Sequence, residues 1–238
     1  MLSIVMATKD SERFVAESLQ SLISQTRPAD EILLIDEKSS DRTLAIVSQF
    51  PGVKVRQQQS TGFQNAWNEG IRHAAGDFIG FLDSDDRMQS HALKCALQCF
   101  ERDHDADVVF GRVQFFCEED QWPPSFRSEL RTGSHEADIP GCMVVRKRVF
   151  DRLGLFPSDW QILADVVWFA DMRRSNVRVI RNPSTVLEKR VRRDSLSLTA
   201  SGQVTYRTEM LRLARREARR KSVALGDSLS DMGHRHDQ

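Results

Sequence analysis

Apolar residues follow two different periods along the first half of the chain. Short continuous apolar runs, typical of buried strands, alternate with longer segments in which apolar residues return every three or four positions, as on one helix face. The runs predict strands at residues 3–7, 31–35, 53–56, 78–82 and 106–116, and the periodic segments predict helices at residues 11–24, 39–50, 64–75 and 90–102. This alternation predicts an α/β fold, with a mostly parallel sheet covered by helices on both faces.

The second half is less regular. Residues 117–138 predict a long loop, residues 161–174 a helix and residues 177–180 a last strand. Residues 205–221 predict a helix that carries seven basic side chains and only two glutamates. Residues 222–238 predict a disordered tail. A solvated basic helix and a helix that contacts a membrane surface or a partner are both consistent with this pattern.

Composition narrows the class of protein. With 238 residues and 40% hydrophobic residues, the chain can bury one large core. Its 34 basic and 34 acidic residues give no net charge, so nucleic acid is not an expected partner. The first residues lack the basic flank of a signal peptide, and no apolar run approaches the roughly 20 residues that cross a bilayer, so we expect a cytoplasmic protein. The four cysteines form no Cys-x-x-Cys pair, so no zinc or redox site is predicted.

An acidic cluster comes directly after the predicted strand at residues 78–82. Asp83 and Asp85 are two positions apart, so on an extended backbone their side chains point the same way. Two converging carboxylates repel each other unless a cation lies between them, and oxygen ligands select hard ions such as Mg²⁺ or Mn²⁺. The alternative interpretation is a helix start or a solvated acidic turn, with Asp86 capping the next element.

A second carboxylate ends another predicted strand. Asp36 comes directly after the strand at residues 31–35, and the carboxyl ends of parallel strands meet at one edge of the sheet. Ligands of open α/β sheets bind beyond that edge. The shared position of Asp36, Asp83 and Asp85 therefore favours a ligand site over simple capping.

Several ordered motifs resemble those of family 2 glycosyltransferases. Phe81-Leu82-Asp83-Ser84-Asp85-Asp86 matches the family's Phe-Leu-Asp-x-Asp-Asp motif at every fixed position. Residues 3–10, 31–43, 62–70 and 141–156 are similar, in the same order, to further segments of the family. The resemblance covers about residues 1–200.

The resemblance implies a GT-A fold, a Rossmann-like, mostly parallel sheet with a smaller acceptor-side region. It implies a nucleotide-diphosphate sugar donor, a Mn²⁺ or Mg²⁺ ion, and inverting transfer to a hydroxyl of a glycan or glycoconjugate. Residues 1–116 would form the nucleotide-sugar-binding half and residues 117–200 the acceptor-binding, catalytic-base half of the same domain. Residues 201–238 would form the basic helix and the tail. Peripheral contact at the inner face of the membrane would involve residues 205–221.

The resemblance also implies roles for single residues. Asp165 would be the general base and Asp85 the metal ligand. The residues expected to bind the nucleotide or donor are Thr8, Asp10, Asp36, Asn65, Asn68 and Asp83.

The chain departs from the family pattern at four places. Glu37-Lys38 replaces the usual Asp-Gly, Lys9 replaces an aromatic residue, and Ala164 replaces the first residue of a Glu-Asp pair. The late Arg-x-His element has no histidine, which leaves Arg190, Arg192 or Arg193 to meet the diphosphate. A non-catalytic sugar-nucleotide or glycan-binding protein is therefore an alternative. A nucleotidyltransferase fits less well, because no glycine-rich phosphate loop comes after the first strand.

Overall fold

The computed structural model describes residues 1–118, 121–195 and 199–233, with the backbone alone for residue 200 and residues 221–233. The strands are β1 (Leu2–Thr8), β2 (Glu31–Asp36), β3 (Val53–Gln57), β4 (Phe78–Asp83), β5 (Arg87–Met88), β6 (Val108–Phe116), β7 (His135–Glu136), β8 (Met143–Arg146) and β9 (Val179–Arg190). The α-helices are α1 (Val15–Ile23), α2 (Thr43–Val47), α3 (Phe63–His73), α4 (Ala92–Arg102), α5 (Arg148–Leu153), α6 (Ala164–Met172) and α7 (Ala200–Gly233).

The nine strands found among the described residues belong to one sheet, in the order β3-β2-β1-β4-β8-β6-β9-β5, with β7 paired to β6. Strands β3, β2, β1 and β4 are parallel, as are β6 and β9. Strand β8 is antiparallel to both of its neighbours, β4 and β6. The prediction of a mixed α/β fold with a mostly parallel sheet is therefore confirmed.

Helices pack closely on the parallel strands because small residues lie at the contacts. A Cβ atom on Gly70 of α3 would lie 2.2 Å from a methyl carbon of Val5 on β1. Beyond this contact, a cluster of aromatic rings joins α3, β4 and α6, with Trp67, Phe81, Phe156 and Trp168 packed edge to face or tilted. The core is thus shared between the two halves of the chain.

Several predicted elements have different lengths in the structure. Helix α1 begins at Val15 because residues 12–14 form a turn, and α2 spans five residues. Strand β9 continues ten residues beyond the predicted end at residue 180, because a register shift between β6 and β9 accommodates Pro183. No helix within the described ranges is both long enough and apolar enough to cross a membrane.

Helix α7 also differs from the sequence prediction. It begins at Ala200 and continues to Gly233, whereas the sequence predicts a helix at residues 205–221 and then a disordered tail. Its extension over residues 222–233 fits their composition, since no proline interrupts this segment. Residues 234–238 of the predicted tail lie outside the described residues.

Candidate active site

A cleft of about 480 Å³ lies at the ends of the central strands. Thr8 at the end of β1 pairs with Asp36 at the end of β2, and Ala7 pairs with Asp83 at the end of β4. The structure therefore brings these strand ends to one edge of the sheet, as their parallel order requires. The predicted site residues that line the cleft are Thr8, Asp10, Asp83, Asp85 and Asp165.

A lysine lies among the three carboxylates at the end of β4. The Nζ atom of Lys189, near the end of β9, is 3.1 Å from Oδ2 of Asp83 and 2.9 Å from Oδ2 of Asp86. Although burial opposes it, the negative charge of Asp86, Asp83 and Asp85 raises the pKa of Lys189 well above its usual value. Lys189 therefore stays charged and neutralises part of the acidic cluster. Sequence reasoning did not find this contact, which joins residues about a hundred positions apart.

Two arginines near Lys189 differ in how far they are available to a ligand. Arg190 also lines the cleft, but it is almost fully buried and its guanidinium bonds to Glu17, Glu118 and the carbonyl of Asp85. Arg192 lines the cleft, and its Nη1 lies 3.3 Å from Oδ2 of Asp85. Arg193 is not among the residues that line the cleft.

Asp86 does not cap a helix. The Lys189 ammonium donates to one of its carboxylate oxygens, and the backbone N–H of Arg190 donates to the other at 2.8 Å. Asp86 is 1% exposed, so it is a buried link between β9 and the acidic cluster. Asp83 and Asp85 are left to face the cleft.

Asp165 lies in the first turn of α6 and faces the same cleft as Asp83 and Asp85. Burial raises the pKa of Asp165 to about 6, with a further contribution from the charge of Asp83, against the opposing hydrogen bond from the N–H of Val166. A carboxylate with a pKa near neutrality is a better proton acceptor than an exposed aspartate.

The segment that precedes Asp165 is held by α7. The carboxylate of Glu209 accepts hydrogen bonds from the backbone N–H groups of Gln161, Ile162 and Leu163, at 2.6, 3.0 and 2.8 Å. These donors lie at the start of α6, where N–H groups have no partner within the helix. Glu209, which is 7% exposed, therefore fixes the start of the helix that carries Asp165.

Three predicted donor-binding residues are not brought to the cleft. Both oxygens of Asp36 accept from the N–H and hydroxyl of Ser39, and the amide of Asn68 bonds to the backbone N–H and C=O of Phe156. Asn65 donates to the carbonyl of Thr61. These contacts are structural, because each one fixes a turn or a helix against its neighbour.

The substituted loop after Asp36 contacts the cleft through its glutamate. Glu37 lines the cleft and accepts from the N–H of Gly62 at 3.1 Å. Lys38 has a φ of +54°, so this lysine adopts the left-handed backbone conformation that glycine favours. The loop therefore keeps a left-handed turn without the usual glycine.

Several buried polar atoms beside the cleft lack hydrogen-bond partners among the described residues. They include Oγ1 of Thr8, Oε1 of Gln58 and Nε1 of Trp67, and these three residues line the cleft. A buried polar group without a partner is costly, so such groups indicate a place where a ligand or water binds. Sequence reasoning did not single out Gln58, which lies just after β3 in a polar segment.

The cleft offers few protein ligands for a metal ion. Within the described residues, no group of three or more histidine, cysteine or acidic side chains is arranged to hold one. Mg²⁺ and similar ions commonly use one or two carboxylates and take their remaining ligands from water and substrate phosphates. Asp85, with Asp83 beside it, fits such an ion when a diphosphate is also present.

Comparison with known proteins identifies the family. The profile described as "Glycosyl transferase family 2" matches residues 3–219. The chain belongs to this family. In line with this assignment, it is 33% identical over 121 residues to the poly(ribitol-phosphate) beta-glucosyltransferase of Bacillus spizizenii, an alignment that covers 48% of this chain and 19% of the relative.

Two solved structures share the fold. Staphylococcus aureus TarS 1-349 in complex with UDP superposes with a TM-score of 0.65 at 23% identity, over 81% of this chain and 61% of TarS. The mannosyltransferase PcManGT of Pyrobaculum calidifontis, in complex with GDP-Man and Mn²⁺, superposes with a TM-score of 0.64 at 17% identity, over 89% of this chain and 64% of that chain. The GT-A fold is therefore shown, and this family 2 chain spans only part of the length of these relatives.

Proposed function

We propose that this protein is an inverting glycosyltransferase that moves a sugar from a nucleotide-diphosphate sugar to a hydroxyl of a glycan or glycoconjugate. The proposal rests on one observation above all. Asp165, whose pKa is about 6, faces the cleft that Asp83 and Asp85 also line. A proton acceptor in the same cleft as an acidic, metal-compatible pair supplies the two kinds of group that an in-line displacement on a sugar diphosphate needs.

The protein's own residues have distinct tasks in this reaction. Asp165 removes the proton from the acceptor hydroxyl. At the same time, the oxygen of that hydroxyl forms a bond to the anomeric carbon of the donor sugar. The bond from that carbon to the diphosphate oxygen breaks on the opposite face, and its electron pair stays on the leaving nucleoside diphosphate. A base of this kind contributes about 10²–10⁴-fold to the rate.

Positive charge at the leaving group is the second requirement. We propose that Asp85, assisted by Asp83, holds a Mn²⁺ or Mg²⁺ ion, which when bound would offset the charge that develops on the diphosphate. Arg192, beside Asp85, is close enough to donate to the same diphosphate. Lys189 keeps the carboxylates at their present spacing.

The remaining predicted residues divide into direct and indirect roles. We propose that Thr8 and Asp10 contact the nucleoside, with Gln58 added because of its unpartnered oxygen. The roles of Asp36, Asn65 and Asn68 are indirect: they hold the loops around the nucleoside site, since their polar atoms already bond to the protein.

The location that we propose is the cytoplasm, with peripheral contact at the inner face of the membrane. Support comes from α7, where Val204, Met210 and Leu211 are exposed among several arginines. Exposed apolar residues on a basic helix are typical of a helix that lies on an anionic bilayer surface.

Calorimetry with nucleotide sugars, with and without Mn²⁺, and then a transfer assay, tests the proposed reaction. Asp85→Asn should abolish the metal-dependent part of donor binding. Asp165→Asn should leave donor binding intact and reduce transfer by about 10²–10⁴-fold. Donor binding without hydrolysis or transfer in the parent protein would instead indicate a sugar-nucleotide-binding protein.

A further inference from the structure

A second cavity, of about 880 Å³, lies between α7 and the segment that leads into α6. One wall is the face of α7 from Thr208 to Arg220, and the other is formed by residues 153–160 and the side of α6 that contains Val167 and Asp171. Among the described residues, none lines both this cavity and the active-site cleft. We refer to this cavity as the α7 groove.

Positive charge exceeds negative charge in the α7 groove. Five arginines line it, at positions 212, 215, 216, 219 and 220, against the two aspartates Asp159 and Asp171. The aspartates already have partners, because Arg212 pairs with Asp159 while Arg216 and Arg220 share Asp171. The groove therefore keeps an excess of cationic groups.

Among the described side chains, two of these arginines have no acidic partner. Arg215 and Arg219 are exposed, and neither forms a salt bridge within the part of the chain whose side chains the structure describes. They are four positions apart, so they lie side by side on α7 and repel each other. Two adjacent guanidinium groups of this kind match the geometry of phosphate oxygens, which accept paired N–H bonds.

Apart from Thr208 and the buried Trp160 and Trp168, the rest of the lining is aliphatic. Leu153, Leu155 and Pro157 are partly exposed along one wall, and Leu211 on the other is 62% exposed. The aromatic Trp160 is buried beneath Arg212, so it offers no open face to a base or a sugar ring. A groove with cationic groups at its edge and aliphatic walls suits a phosphate that carries a hydrocarbon chain.

The groove and the cleft lie on different sides of α6. Asp165 faces the cleft from the first turn of this helix, and Asp171 faces the groove six residues later. Six residues of an α-helix span about 9 Å. Six residues also turn the helix by about 240°, so a sugar attached to a phosphate in the groove would have to pass around α6 to reach Asp165.

We propose that the α7 groove binds the phosphate or diphosphate, and the first part of the hydrocarbon chain, of a lipid-linked acceptor. This inference rests on the proposed glycosyltransferase function, because it names the class of acceptor. The binding itself is separate from the chemistry, so it can be measured in a protein that transfers no sugar.

Calorimetric titration with farnesyl diphosphate, below its micelle concentration and without divalent ions, tests the proposal. The Arg215→Gln/Arg219→Gln double variant should bind at least about tenfold more weakly, because it loses charge-assisted hydrogen bonds to the phosphate. Leu211→Gln should also weaken binding. The matched control is Arg72→Gln/Arg102→Gln, which removes two arginines from the ends of other helices and should bind as the parent does.

Three results would overturn the proposal. The first is a double variant that binds farnesyl diphosphate as tightly as the parent does. The second is loss of binding in Arg192→Gln alone, which would locate the diphosphate in the active-site cleft. The third is equal affinity for inorganic diphosphate or for an acidic peptide, which would show that the aliphatic walls take no part. Failure of sugar transfer, with groove binding intact, would contradict only the proposed reaction.

Discussion

Asp165 shows how one side chain's surroundings prepare it for proton transfer. Its pKa of about 6 is a consequence of burial, and the general base must be ionised to act. We therefore expect kcat/KM for sugar transfer to fall about tenfold for each pH unit below about 6. A pH profile of the parent protein, with the thermal unfolding temperature measured at each pH as a control, would check this. A rate that stays constant down to about pH 4.5 would contradict the assignment.

The burial that raises the pKa of Asp165 also makes the stability of the folded protein depend on pH. Because the folded-state pKa of Asp165 lies above the ordinary value of 3.8, the folded protein holds a proton that the unfolded chain releases. The contribution of this residue to stability is therefore fully present below about pH 4 and is lost as the pH rises through about 6. We expect Asp165→Asn to increase the free energy of unfolding at about pH 7.5 but not at about pH 4, as measured by urea denaturation.

Lys189 should matter for stability as well as for the site. Lys189→Met would leave Asp83 and Asp86 without their ammonium partner, and breaking a buried ion pair costs about 3–5 kcal/mol. Since Lys189 keeps some exposure, we expect a loss toward the lower end, with millimolar Mn²⁺ restoring part of it. Lys54→Met, which removes a more exposed partner of Glu31, is the control and should cost no more than about 1 kcal/mol. Equal losses in both variants would argue against a special role for Lys189.

The residues that sequence reasoning found, and those that it missed, differ in a physical way. Asp83 and Asp85 were predictable because a strand end fixes both their spacing and their direction. Lys189 and Glu209 were not, because each acts on residues tens to about a hundred positions away. Asn68 was assigned to the donor, yet its amide is used by Phe156. A local motif locates a residue on its helix but does not say which surface its side chain meets.

At the scale of elements, α7 contributes to the site although it lies outside the sheet. Glu209→Ala would leave the N–H groups of Gln161, Ile162 and Leu163 without their acceptor. Unpaired buried donors cost about 1–3 kcal/mol each, although water can replace part of this. We expect faster amide hydrogen exchange at residues 161–164 and a lower kcat with little change in the KM for the donor.

Glu209→Gln provides the comparison for this prediction. Its amide oxygen can still accept from one or two of the three donors, so exchange and kcat should lie between the values of the parent and the alanine variant. If the alanine variant loses stability but keeps the parent kcat, then the capping of α6 serves folding alone.

Elements were predictable to different extents for clear reasons. Strands β1, β2 and β4 were predictable from the sequence because they are buried, continuous apolar runs. The second half of β9 was not, since most of its residues are polar or charged, and Lys189 and Arg190 pair there with Asp83, Asp86 and Glu17. The length of α7 was also missed, because the sequence prediction ended the helix with its basic segment at residue 221.

At the scale of the whole molecule, the sheet makes the two halves of the chain interdependent. Strand β8 lies between β4 and β6, so a strand from the second half separates two strands of the first. We therefore expect one cooperative thermal transition, with the same midpoint by near-UV and far-UV circular dichroism. A fragment of residues 1–116 should not fold alone, since β6 would have no neighbour. Two separate transitions, or a folded fragment, would contradict this.

The pairing of β6 with β9 has a consequence for biosynthesis. Strand β6 ends at Phe116, but the strand that covers its outer edge ends only at Arg190, about 74 residues later. At about 5–20 residues per second, the ribosome needs roughly 4–15 s to supply the missing strand. During that interval the apolar β6 lacks its β9 partner, so the nascent chain is most exposed to aggregation after its first half has already emerged.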